Sequence, residues 1–278
     1  MSALELSGLI FTGAFAAGLL GSLTGLGGGV VIVPLLTIGF GVNIRYAIGA
    51  SLVSVIATSS GAAAAYVREG YTNIRIAMLL EIATTLGAVA GAALAAVVST
   101  QLLALTFAAV LLYSAYLSGR RATEHLPVEH SDPLAIRLKL NSSYPTSAGE
   151  QPYGVRHLPG GFALMGVAGM LSGLLGIGSG AVKVLAMDNV MHLPFKVSTT
   201  TSNLMIGVTA AASSGVYLRR GQIDPALAFP VMLGVLAGAL VGTRLLTRLA
   251  TRRLRTIFGV VVALLAAEMV FKALSGRI

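Results

Sequence analysis

The sequence has no cysteine in 278 residues. That excludes disulfides, thiolate metal sites and thiol catalysis. Histidine is scarce: only His125, His130, His157 and His192 are present, all outside the clear apolar runs. With no cluster of His, Asp and Glu, the chain offers no metal site and no cofactor is expected. Charge is scarce too. Only 10% of residues are charged, against about 25% in a soluble domain. The net charge of +9 does not point to nucleic acid, because the basic residues sit between apolar runs, where the positive-inside rule expects them. The N-terminus carries Glu5 and no basic stretch, so no cleaved signal peptide is expected and the first apolar run stays in the mature protein.

What is abundant is apolar sequence. Hydrophobic residues make up 55% of the chain and its mean hydropathy is +0.86. Continuous runs of spanning length recur, which predicts an all-α polytopic membrane protein embedded in a lipid bilayer rather than a barrel of alternating strands. In the first half, residues 1–118, the runs cover about 8–40, 44–67, 74–98 and 102–117. In the second, residues 159–278, they cover 162–190 and about 197–218, 227–246 and 256–273. Residues 119–158 hold four prolines and three of the histidines. They read as a solvated linker, with a short amphipathic helix at 134–140.

The halves align without a gap at an offset of 151. Residues 17–92 against 168–243 give 18 identities in 76 positions, among them Gly25/Gly176, Gly27/Gly178, Gly29/Gly180, Ser51/Ser202, Thr58/Thr209 and Tyr66/Tyr217. The shared glycine register predicts an internal duplication, about four apolar segments per half. Each half opens with a run broken by glycines, Gly25-Leu26-Gly27-Gly28-Gly29 and Gly176-Ile177-Gly178-Ser179-Gly180. Glycine loses the most entropy in a helix, so these stretches break it. Broken backbone survives in lipid only where protein buries it or it lines a wet cavity. Two such breaks in matching places point to a transporter binding site.

Two topologies fit. If each broken run crosses once, the halves are parallel and the basic residues divide 11 to 7 across the membrane, with Lys183 left inside it. If each goes in and returns as a re-entrant hairpin, the halves are inverted repeats and the division is 13 to 5. The sharper bias favours inverted repeats, with the linker cytoplasmic and both termini outside.

Helix ends restarting at Gly28 and Gly29, and at Ser179 and Gly180, present N–H groups and a positive dipole, which suit an anion. The plainer reading is close helix packing through glycine. Lys183 lies three residues after Gly180 inside an apolar run. A lone charge there is costly unless paired or lining a cavity. It supplies a cation to an anion site, or else snorkels or pairs with Asp188. Ser51 and the segment Thr201-Ser202-Asn203 open the next span of each half. They add donors, or bond to their own helix carbonyls. Glu81 and Glu268 are candidates for proton coupling, or are solvated near span ends. The Gly87/Gly91 and Gly238/Gly242 pairs read as packing faces.

These motifs resemble the TauE/SafE family of sulfite exporters, the TSUP permeases. The likeness lies in residues 21–29 (GSLTGLGGG) followed by Val33-Pro34, in residues 172–180 (SGLLGIGSG), in Ala47-Ile48-Gly49-Ala50-Ser51 and in Thr201-Ser202-Asn203. The second copy has Ser179 where the family usually has glycine, and lacks a proline matching Pro34. The resemblance implies a secondary transporter, not an enzyme. Its substrate would be a small sulfur-containing or organic anion such as sulfite or a sulfonate, often exported across the bacterial inner membrane. The substrate-binding set expected from all of this is Gly25, Gly27, Gly28, Gly29, Ser51, Gly176, Gly178, Ser179, Gly180, Lys183, Thr201, Ser202 and Asn203. A passive anion channel and a membrane scaffold are the competing readings.

Overall fold

A computed structural model describes residues 3–24, 29–68, 70–119, 131–146, 149–246 and 251–276. The chain is mostly helical. Helix α1 (Ala3–Thr24) is followed by the short α2 (Gly29–Pro34), α3 (Ile44–Arg68), α4 (Ile74–Leu94) and α5 (Thr100–Gly119). After α6 (Pro133–Arg137) and a hairpin of β1 (Ser142–Thr146) and β2 (Gly149–Tyr153) come α7 (Leu158–Leu175), the short α8 (Gly180–Leu185), α9 (Phe195–Arg219), α10 (Pro225–Leu246) and α11 (Thr251–Leu274). Wider π turns, Leu35–Gly39 and Ala186–Val190, extend α2 and α8. Four helices of the second half therefore start 151 residues after their counterparts in the first, at Gly29 and Gly180, Ile44 and Phe195, Ile74 and Pro225, and Thr100 and Thr251.

Three of the described helical stretches are long and apolar enough to cross a membrane: Ile74–Leu94, Leu158–Leu175 and Pro225–Gly242. Helix α4 shows why. One side buries Ile76, Leu80, Ala83, Thr84, Ala88 and Gly91, while Met78, Ile82, Leu86 and Val89 point outward. Apolar side chains on both faces suit a helix packed against protein on one side and lipid on the other.

Glycines let the helices touch. A Cβ at Gly173 would lie 1.9 Å from the Ala88 carbonyl oxygen, and one at Gly91 would lie 2.0 Å from that of Met170. A Cβ at Gly238 would lie 2.0 Å from that of Phe15. Small residues at such crossings let backbones meet in a membrane. These contacts pair α4 with α7 and α1 with α10.

They also fix direction. Gly169 meets Thr84 and Gly173 meets Ala88, so α7 runs parallel to α4. Helices α4 and α9 are parallel as well. The Asn73 N–H donates to Thr201 Oγ1, Thr209 Oγ1 donates to Glu81 Oε1 and Arg220 donates to the Ala92 carbonyl, each pair 128 residues apart. Helices α7 and α9 thus share a direction, so the chain between them reverses twice. It turns at residues 176–179 and returns along α8. Helices α3 and α9 lie side by side in opposite directions. Gly49, near the start of α3, meets Gln222 beyond the end of α9.

The all-α expectation omitted the hairpin. Where the sequence reads as a solvated linker, residues 131–157 fold back onto the helices. Asp132 caps a helix shorter than expected, accepting from the Leu134 N–H. Ala135, Leu140, Tyr153 and Val155 are buried in one cluster with Ile76, Ala77 and Leu80. Asn73 Nδ2 donates to the Leu140 carbonyl at 3.0 Å and to Tyr153 Oη at 2.9 Å. Pro145 and Pro152, paired near opposite ends of the two strands, argue against strands in the sequence. In a two-stranded hairpin every strand is an edge, and an edge tolerates proline.

Candidate functional site at the helix breaks

The turn of the second half and the start of α2 meet at one buried junction. In the second half the reversal uses three left-handed residues, Gly176 (φ +68°), Gly178 (+73°) and Ser179 (+49°). Glycine adopts this region freely, whereas serine does so at a cost of roughly 1–2 kcal/mol. Ser179 is buried, and its Oγ has no hydrogen-bond partner among the described residues. A strained residue with an unpaired buried hydroxyl is a candidate functional position. In the first half Gly25, Gly27 and Gly28 lie outside the described residues. Gly29 opens α2, and a Cβ there would lie 2.9 Å from Ser51 Oγ and 3.2 Å from the Gly176 carbonyl oxygen.

Ser51 ties the two breaks together. Its hydroxyl donates to the Gly176 carbonyl at 2.8 Å, with the Gly29 carbonyl at 3.4 Å. Ser202 repeats the second contact, donating to the Gly180 carbonyl at 3.4 Å. Both serines are fully buried. The two other donors expected here also make contacts of their own. The Thr201 hydroxyl accepts from the Asn73 N–H and anchors the α3–α4 connection. Asn203 donates to the Thr199 carbonyl of its own helix.

Lys183 is 0% exposed. Its Nζ donates to Thr209 Oγ1 at 2.5 Å, and that hydroxyl lies 2.7 Å from Glu81 Oε1 and 2.8 Å from the Met205 carbonyl. Thr85 Oγ1 also donates to Glu81 Oε1, at 3.2 Å. The lysine thus meets a carboxylate through a threonine, on an element the sequence reading had not joined to it. Nothing local joins them, because Glu81 and Lys183 stand 102 residues apart in different halves. The shared Thr58/Thr209 register was the one available hint. Glu268 sits on an exposed face of α11, and the described contacts do not bring it to this junction.

The model of the family described as "Sulfite exporter TauE/SafE" matches residues 10–269. The chain belongs to this family. A probable membrane transporter protein of Bacillus subtilis (strain 168), YunE, is 26% identical over 266 residues, covering 93% of this chain and 95% of its own. YdhB of the same organism, also named a probable membrane transporter protein, is 26% identical and covers 82% and 85%. A probable membrane transporter protein of Xylella fastidiosa (strain 9a5c) is 27% identical and covers 93% and 91%. No solved structure matches. This TauE/SafE protein is a membrane transporter, not an enzyme.

Proposed function

We propose that the protein is a secondary transporter of small sulfur-containing or organic anions, such as sulfite or a sulfonate, working in the export direction in the inner membrane. The reading rests on one observation. A fully buried lysine stands beside two broken helices that meet at Ser51. A buried cation next to exposed backbone dipoles is what a desolvated anion requires. Lys183 supplies the charge, and Ser179, Gly180 and Gly29 supply hydroxyl and backbone donors once the junction opens. Ser51 and Ser202 hold the breaks in place.

The halves act as inverted repeats. Supporting this are the matching element starts and the opposite directions of α3 and α9, the second span of each half. The 13-to-5 division of basic residues supports a cytoplasmic side for residues 119–158. Rocking of one half against the other then exposes the junction to each side in turn.

The test is sulfite binding to purified protein, with thiosulfate, sulfate, sulfoacetate and acetate as competitors. Saturable sulfite binding that Lys183→Ala abolishes is expected, and counter-flow in vesicles separates a carrier from a channel. Folded protein that binds none of these anions refutes the reading.

A further inference from the structure

The lysine already has an anion. Glu81 reaches it through Thr209, from the opposite half of the chain. A threonine hydroxyl has one proton to give and two lone pairs to receive. Here it receives the Lys183 ammonium proton and faces the carboxylate at 2.7 Å. Glu81 spends one oxygen on this contact and on Thr85. Its other oxygen, Oε2, is buried with no hydrogen-bond partner among the described residues. An ionised carboxylate with one bare buried oxygen holds its charge only by virtue of the nearby cation.

We propose that Glu81 is a tethered stand-in for the substrate, and that an arriving anion displaces it from Lys183 and drives it to take up a proton. This rests on the anion site proposed above. In the empty carrier the Lys183 charge is balanced by Glu81 through Thr209. When a substrate anion takes the lysine, two anions would share one buried cation. Protonation of Glu81 removes the excess. The O–H bond forms at the carboxyl with a proton from the side the anion came from. It breaks after reorientation, when the anion leaves and Glu81 re-engages Thr209. One proton travels with each anion, and no electron is transferred.

Besides Lys183 itself, the titratable and charged groups around Glu81 are few, and Tyr153 on the hairpin packed against α4 is bound to Asn73. Helix α7, packed on α4, carries no titratable side chain. On α9, Lys196 lies near the start of the helix, Tyr217 Oη donates to the Gly173 and Leu174 carbonyls, and Arg219 ends the helix. Arg220, just beyond, is bound to the Ala92 carbonyl. On α4 itself Arg75 donates to the Lys139 carbonyl. Asp188 lies on the return segment beyond α8.

The experiment uses methanesulfonate, which stays an anion across the pH range and carries no proton itself, with sulfite in parallel. Binding is measured against pH in wild type and Glu81→Gln, and infrared difference spectra are recorded on adding each anion. In wild type, uptake of one proton tightens methanesulfonate binding by up to about tenfold per pH unit of acidification. A protonated-carboxyl band should appear with either anion. In Glu81→Gln, binding should no longer vary with pH and the band should be absent. Wild type that binds an anion with no new carboxyl band overturns the coupling and leaves the anion site standing. A band that persists in Glu81→Gln assigns the proton elsewhere and also overturns it. Wild type that binds neither anion removes the site and the coupling together.

Discussion

The two halves share a backbone plan but differ in what they bring to the break. In the second half Lys183 on α8 meets Thr209 on α9 and Glu81 on α4. The positions 151 residues away are Ile32, Thr58 and Met232. The threonine is retained, but among the described residues Thr58 bonds to the carbonyls of Ser54 and Val55 in its own helix. By contrast, Ser51 and Ser202 make the same contact in both halves, to Gly29 and to Gly180. Among the described residues these two serine contacts are symmetric, whereas the Lys183–Thr209–Glu81 contact is found at the break of the second half alone. In the proposed function a single small anion needs one counter-charge. A second buried lysine would add its own desolvation cost with no ligand to offset it.

The largest expected effect breaks the symmetric part. A Cβ at Gly169 would lie 2.1 Å from the Thr84 carbonyl oxygen, and at its counterpart Gly18 would lie 2.3 Å from that of Val235. Gly169→Val and Gly18→Val should each destabilise the protein by about 3 kcal/mol or more, since a carbonyl of a packed helix cannot give way. Thermal unfolding in detergent should show similar losses for both. A large loss at one and none at the other would mean the two crossings are not equivalent.

The charged part is broken next. Lys183→Ile gives the second half the residue of the first and leaves the half-buried Glu81 without its cation. Losing one member of a fully buried charge pair costs about 3–5 kcal/mol; the loss here should be smaller, because Glu81 is half-buried and meets the lysine through Thr209. Adding Glu81→Met should recover most of that stability but none of the anion binding. A double-mutant cycle in detergent measures the coupling. Additive effects would show that the lysine and the glutamate do not sense each other.

The smallest effect separates the threonines. Thr209→Val removes the bridge and should cost roughly 1–3 kcal/mol by leaving polar groups unsatisfied. Thr58→Val should stay within roughly 0.5 kcal/mol, because it loses only bonds to its own helix. Equal losses would make Thr209 an ordinary helix threonine.

Much of this protein could be read before folding. Apolar runs without charge dictate membrane helices, because lipid offers no partner for bare backbone. Glycine-dense stretches dictate breaks, because those residues lose most on entering a helix. Lys183 stood out because an unpaired charge cannot rest in an apolar run. The Gly87/Gly91 face was legible for the same kind of reason, since small residues let helices approach. What the chain could not announce was who stands opposite whom. Glu81 looked no different from Glu268, yet one meets the buried lysine and the other faces outward. That Thr201 Oγ1 would receive the Asn73 N–H, from the start of a helix 128 residues away, was not legible either. The hairpin at 142–153 carried two prolines and no clean alternation. Those outcomes depend on which helix faces which across the two halves, and that register exists only once they are packed.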